Sequence, residues 1–322
     1  MKQLTGPDAM FLHMELEGFP MHIGGVSIYD QSTSPGGLVR FKDILAMFES
    51  RLDRSPIFRR KLVEVPFNLD QPYWVDDPSF DLEFHVRHIA LPKPGDWRQL
   101  CIQVARLHAR PLDRNRALWE AYVIEGLHDL EGVPPGSFAL YLKVHHAAMD
   151  GASGVEFFGA FNDTKPKPDP TKPPAPWRPS APPGTGKLLF KAYTNSLLKP
   201  GQMLRMTRDL LSSRKRVKQG LSRGEFSELG EIPPTRFNRK LTPHRVVGAT
   251  RFDFQAIRSI KNSVEGATVN DVMLAIVSGA MRKYLTEKNE LPERTLVTGC
   301  PVNVRDEGEK DKDGNMVGMM TT

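Results

Sequence analysis

The sequence predicts an α/β (α+β) fold arranged as two domains, and three observations carry that expectation. Helical and strand periodicities alternate through the first half, a proline-rich stretch interrupts them, and a second alternating unit begins near His244. At 322 residues, with 39% hydrophobic and 25% charged side chains, the chain can bury two ordinary cores, so disorder is not its default state.

Taken in order, Leu38, Phe41, Leu45, Phe48 and Leu52 recur at helical spacing, as do Trp97, Leu100, Cys101, Val104 and Leu107. Residues 26–29 and 121–124 read as strands. Between residues 164 and 183 nine of twenty residues are proline, which forbids helix and inner strand and predicts a stiff surface crossover. The expected boundaries are therefore a first domain at 1–163, a linker at 164–243 and a second domain opening at 244–322. In that last part 246–254 and 295–304 read as strands and 257–261 as a short helix. A stronger helix from 269 to about 283 follows, with Val269, Val272, Met273, Ile276, Val277, Ala280 and Tyr284 as its buried stripe. Thr268 with Asp271 supplies the capping signal, which places Asn270 and Asp271 in an exposed first turn.

The densest chemistry is the string from His145 to Gly151, His-His-Ala-Ala-Met-Asp-Gly, at the end of a strand-like run. Phe138, Leu140, Leu142 and Val144 share one face of that run, and continued alternation puts His146 on the apolar face and His145 on the other. An imidazole where water is scarce has its proton affinity set by neighbours, which suits His146 to general-base work. The blander alternative is one satisfied interior histidine and one solvated one. His146 and Asp150 are four apart and could share a helix face, but zinc needs three protein ligands and neither Glu nor Cys lies between them, so no metal is expected. A serine or cysteine hydrolase is disfavoured too. No G-x-S-x-G elbow is present, and Cys101 and Cys300 lie in a helical pattern and a strand-like run.

Two distant cysteines fit a reducing compartment. With no apolar leader or membrane-length apolar run, the expected location is the cytoplasm. Net charge is +6, concentrated at 187–223, where ten Lys/Arg face one acid, Asp209, amid apolar residues at helical spacing. That pattern reads as an interrupted amphipathic helix, either a connector with a solvated basic face or a contact with an anionic lipid surface peripheral to a membrane or lipid inclusion. Nucleic acid is not expected, since no recognised motif accompanies the charge.

The His-His-x-x-x-Asp-Gly string resembles the signature of the chloramphenicol acetyltransferase and condensation-domain superfamily. Further segments narrow the resemblance to the bacterial wax ester synthase/acyl-CoA:diacylglycerol acyltransferase family: Asp8-Ala-Met-Phe-Leu12, Pro20-Met-His-Ile-Gly-Gly25, and Pro111-Leu-Asp-Arg-Asn-Arg-Ala-Leu-Trp119-Glu120, with Ala117 where the family usually has Pro. The segments Val269-Asn-Asp-Val272, Pro301-Val-Asn-Val-Arg305 and Gly314-Asn315 extend it toward the end of the chain. The resemblance implies two chloramphenicol-acetyltransferase-like domains with mixed sheets, the second incomplete here, so that a C-terminal fragment of the same protein would complete it. It implies an O-acyltransferase moving a long-chain acyl group from acyl-CoA, a co-substrate rather than a cofactor, to a fatty alcohol or diacylglycerol, with no covalent acyl-enzyme. His146 would be the base beside His145. Asp150 and Gly151 would shape the turn, with Arg305 a candidate partner of Asp150, and Asn270, supported by Asp271, would be the donor near the reacting centre. A condensation-type enzyme acting on another hydroxyl or an amine, and a non-catalytic lipid-surface protein, are the alternatives.

Overall fold

The computed structural model describes residues 1–16, 18–149, 157, 159–163, 165, 176–223, 232–303 and 317–321. The chain divides into two compact units, the first mainly Met1–Arg214 with Thr242–Val247, the second mainly Lys215–Leu241 and Gly248–Val302.

The first unit opens with β1 (Lys2–Gln3) and α1 (Gly6–Met14), where Thr5 caps the helix by accepting the Asp8 amide at 3.3 Å. Then come β2 (His22–Tyr29), α2 (Phe41–Glu49), β3 (Arg60–Val63), β4 (Tyr73–Asp76), α3 (Leu82–His85), β5 (Val86–Ala90), α4 (Trp97–Ala109), β6 (Trp119–Glu125) and β7 (Phe138–His145). They form two sheets, one ordered β1-β4-β3 and one ordered β2-β7-β6-β5. In the larger sheet β5 runs parallel to β6 and the other neighbours are antiparallel, so the sheet is mixed, as expected for this class.

Both faces of the larger sheet are covered. Phe138, Leu140, Leu142 and Val144 of β7 face a core with Phe48, Phe58, Trp119 and Phe161, while Ala139 and Tyr141 face Leu100, Val104 and Leu107 of α4. Trp119 centres the first core, with its ring near Phe48, Phe58, His85 and Phe161 and its indole N–H donated to the Phe58 carbonyl at 3.0 Å. Gly24 of β2 is required by the second: a Cβ there would lie 2.5 Å from the Tyr141 hydroxyl.

The basic segment forms one helix, α5 (Thr185–Ser222), running through Pro200 and Gly201 without the expected interruption. Its first turns pack Leu188 and Ala192 against Val65, Tyr73 and Val75. Asn195, one turn further on, donates to Asp70 Oδ2 at 2.7 Å and to the Tyr73 hydroxyl at 3.1 Å.

In the second unit α6 (Phe254–Asn262), α7 (Val269–Glu287) and the two-stranded sheet of β8 (Gly299–Asn303) and β9 (Val317–Thr321) are described. The strand expected at 246–254 is absent: Val246 is exposed, and Asp253 instead caps α6 through the Gln255 amide at 3.0 Å. The α7 stripe is less buried than its pattern predicts, since Val272 is covered whereas Met273 and Val277 are exposed among the described residues. Arg236 fastens this unit, donating to both Glu290 carboxylate oxygens at 2.6 and 2.7 Å and to the Tyr284 hydroxyl at 2.7 Å.

Candidate functional site

β7 ends at His145, and the chain turns at once into a short 3-10 helix, His146–Ala148. The face assignment made from alternation therefore needs correction. Every residue of β7 is buried, so the strand has no wet face, and His146 lies beyond the last residue to which alternation applies. The turn itself separates the two rings. His145 is the N-cap: its Nδ1 accepts the Ala147 amide at 3.0 Å, which fixes the proton on Nε2. That Nε2 faces Glu15 Oε2 at 3.6 Å, inside a side chain only 1% exposed. Nδ1 of His145 is thus committed to the turn, while Nε2 is buried facing the Glu15 carboxylate at a separation longer than a hydrogen bond.

The His146 ring is half-buried and stacks on Phe11 of α1, centroids 4.8 Å apart and planes 16° apart. No hydrogen bond among the described residues engages its ring. Burial, with a smaller contribution from the neighbouring His145, holds its proton affinity below the usual imidazole value of 6.5. Its backbone is pinned by the His146 amide donating to the Met21 carbonyl at 2.9 Å.

Glu15 closes α1 and sits beneath this turn. It accepts from Arg114 through Nε at 3.0 Å and through Nη2, and its Oε1 accepts the Met21 amide at 3.3 Å. Arg114 Nη2 also donates to the Leu12 carbonyl at 3.0 Å, one turn before Glu15. Burial alone would raise the Glu15 carboxyl, but the pull of His145 and Arg114 brings it down to about 2, so it is an anion across the working pH range.

A second polar layer lies under the first. His22 is the register partner of His145, and its Nε2 donates to the His108 carbonyl at 2.7 Å. Burial depresses the His22 ring to about 4, keeping it neutral. His108 Nδ1 meets the Tyr141 hydroxyl at 2.8 Å. Glu120 and Lys143 are directly opposite on β6 and β7, with Lys143 Nζ 3.2 Å from Glu120 Oε2.

Beside the turn a cavity of about 580 Å³ is lined by Phe58, Trp74, Ala148, Met149 and Phe157, with Arg54 and Arg60 on its wall. Of the site residues expected from sequence, His145 and His146 are brought against Glu15, Phe11 and Arg114. Asp150, Gly151, Arg305 and the Gly314-Asn315 pair lie outside the described residues. Asn270 and Asp271 stand exposed in the first turn of α7, in the second unit. Asp271 there accepts the Thr268 amide at 2.7 Å, and the Thr268 hydroxyl and amide hold its carboxyl below the usual range. Among the described residues no group of three His, Cys, Asp or Glu side chains is placed to hold a metal ion.

Sequence reasoning missed Glu15, Phe11 and Met21 as site residues, and it quoted Arg114 without giving it a role. Glu15 falls between two of the segments that carry the family resemblance, so only Arg114, inside the third, offered a signal.

The catalytic-domain model of the wax ester synthase/diacylglycerol acyltransferase family matches residues 4–273. A Mycobacterium tuberculosis (strain ATCC 25618 / H37Rv) protein named as a diacylglycerol O-acyltransferase is 35% identical over 322 residues, covering 96% of this chain and 60% of its own. A second from that strain, named tgs2, is 34% identical, covering 97% of this chain and 66% of its own. The chain therefore spans less than two thirds of the length of these relatives. Among solved structures, the wax ester synthase/diacylglycerol acyltransferase of Marinobacter aquaeolei VT8 matches with a TM-score of 0.62 at 28% identity, covering 96% of this chain and 69% of that one. A starter condensation domain of rhizomide synthetase, solved with C8-CoA, matches with a TM-score of 0.53 at 13% identity and covers 99% of this chain and 65% of its own, a likeness of fold alone.

Proposed function

We propose, from the premise that this chain belongs to the wax ester synthase/diacylglycerol acyltransferase family, that it carries the base of an acyl-CoA-dependent O-acyltransferase and that the base is His146. The observation that carries this reading is the contrast between the two rings. His145 has Nδ1 committed to the turn and Nε2 buried against Glu15, whereas among the described residues no hydrogen bond engages the His146 ring, which rests on an aromatic platform with its proton affinity held by burial below the usual imidazole value.

In the proposed reaction His146 takes the proton from an acceptor hydroxyl as that oxygen attacks the thioester carbonyl of acyl-CoA. The tetrahedral intermediate then collapses to ester, and the departing thiolate recovers the proton from His146, so no acyl-enzyme forms. The cavity beside Ala148 and Met149 offers the acyl chain an apolar wall. By family analogy the acceptor is a fatty alcohol or diacylglycerol. By the same analogy Asn270 is proposed as the donor to the developing oxyanion.

Thiol release from palmitoyl-CoA, with hexadecanol or a diacylglycerol as acceptor, tests the reading across pH. A base works only when neutral, so kcat/KM should climb as pH rises, with the midpoint of the rise below the ordinary imidazole value of 6.5, because burial shifts the His146 affinity downward. A limb centred above pH 7, or turnover confined to amines, would contradict it.

The same reading assigns α5 a lipid surface. Phe190, Tyr193 and Leu197 are each more than 60% exposed, on the side of the helix opposite the Leu188, Ala192 and Asn195 face that docks on the small sheet. The segment from 187 to 223 carries ten basic residues and one acid, a charge that suits contact with an anionic bilayer. No described helix is long and apolar enough to cross a membrane. The chain should float with phosphatidylglycerol-containing vesicles and not with phosphatidylcholine alone. The double replacement Phe190→Ser/Leu197→Ser should weaken that binding about tenfold or more; equal flotation of wild type and variant would remove the assignment.

A further inference from the structure

We infer that Glu15, held by Arg114, is a positioning residue for the histidine turn, acting through Met21 and His145 to set the place of the His146 ring. The inference rests on the assignment of His146 as the base.

The carboxylate of Glu15 touches every element that locates that ring. Its Oε1 accepts the Met21 amide, and the carbonyl of the same residue receives the His146 amide. One peptide segment thus links the carboxylate to the backbone of the proposed base. Its Oε2 faces His145 Nε2, whose opposite ring nitrogen accepts the Ala147 amide inside the turn. The helix that Glu15 terminates also presents Phe11, on which His146 stacks. Arg114 comes from a loop about a hundred residues away in sequence. It grips Glu15 through two guanidinium nitrogens and the helix end through the Leu12 carbonyl, so the carboxylate cannot swing without moving α1.

A neutral isostere should not reproduce this set. Oε1 receives a backbone N–H and Oε2 receives the guanidinium, so both positions require acceptors, whereas a glutamine amide offers one acceptor and one donor. Whichever way the amide is turned, its NH₂ opposes either the Met21 amide or Arg114. The expected result of Glu15→Gln is a small displacement of α1 against the turn, felt as a misplaced base and not as lost substrate affinity.

The test is a kinetic cycle in the full chain with palmitoyl-CoA and hexadecanol. Glu15→Gln should lower kcat about 10- to 100-fold, the range typical when an outer hydrogen-bond partner of a functional imidazole is lost, with KM for acyl-CoA changed by less than about threefold. Glu15→Gln added to His146→Ala should cost less than about twofold more, because a residue acting through His146 has nothing left to position. An independent loss of the same size in the double variant, or a KM rise with kcat unchanged, would overturn the inference. His146→Ala with wild-type kcat would instead sink the base assignment beneath it. If Glu15→Gln lowers the yield of folded chain, Arg114→Lys repeats the cycle while keeping the charge pair and removing the second guanidinium contact; full kcat in that variant also counts against the inference.

Discussion

Replacing His146 by alanine is expected to slow turnover about 10²- to 10⁴-fold while costing only about 1 kcal/mol of stability. The rate loss follows from removing the one ring of the pair that can accept a proton. The small stability loss follows from its surroundings, since the half-buried side chain stacks on the face of Phe11 and no hydrogen bond among the described residues is orphaned by its removal. His145→Ala should behave in the opposite sense. Its ring is buried at 1% exposure and accepts the Ala147 amide, so truncation strands a buried donor and should cost about 1–3 kcal/mol in folding. Initial rates of thiol release, set beside urea midpoints for both variants, separate the two roles. A His146→Ala chain within threefold of wild type would end the assignment of that residue.

The proposed division of labour between the histidines was half legible in the sequence. The adjacency of two imidazoles and a carboxylate at a strand end could be read directly, and so could the resemblance that names His146. The physical reason could not. Alternation assigns a wet face to a strand only when one face is wet, and β7 is sandwiched between the Trp119 core and α4. A pattern such as Leu142-Lys143-Val144 reads as half-exposed because lysine is rarely buried, yet Lys143 is fully covered. Long-range pairing was invisible for the same reason: Glu15 with Arg114 joins residues 99 apart, and nothing local in either segment announces the other. In the second unit capping chemistry was legible, since Thr268 and Asp271 satisfy each other as their spacing predicts. The absence of a strand at 246–254 was not, because apolar and β-branched residues become a strand only where a neighbouring strand pairs with them.

Glu120→Ala is expected to destabilise the first unit by about 3–5 kcal/mol, the usual consequence of leaving a buried charge without its partner. Lys143 Nζ is bonded on three sides, to Glu120 Oε2 at 3.2 Å, the Leu107 carbonyl at 3.1 Å and the Arg110 carbonyl at 3.0 Å. The two carbonyls lie at the C-terminal end of α4, where backbone acceptors lack helical donors and a cation is favoured. Glu120 is in turn held by the Tyr122 hydroxyl at 2.8 Å, and burial with the charge of Glu120 pushes that phenol up to about 12, so it remains a donor. Burial pulls the Lys143 ammonium below its ordinary range while Glu120 opposes the shift. Removing the carboxylate leaves the cation facing only two carbonyl dipoles, in a strand two residues from His145. The double replacement Glu120→Leu/Lys143→Met removes both charges together, so it should recover much of the loss at the expense of the two helix-end carbonyls, the Tyr122 hydroxyl and the Arg87 pairing. Urea unfolding at constant m-value measures all three variants. A Glu120→Ala loss below 1 kcal/mol, or a double variant as unstable as the single, would show that the pair does not hold α4 to the strand that delivers the histidines.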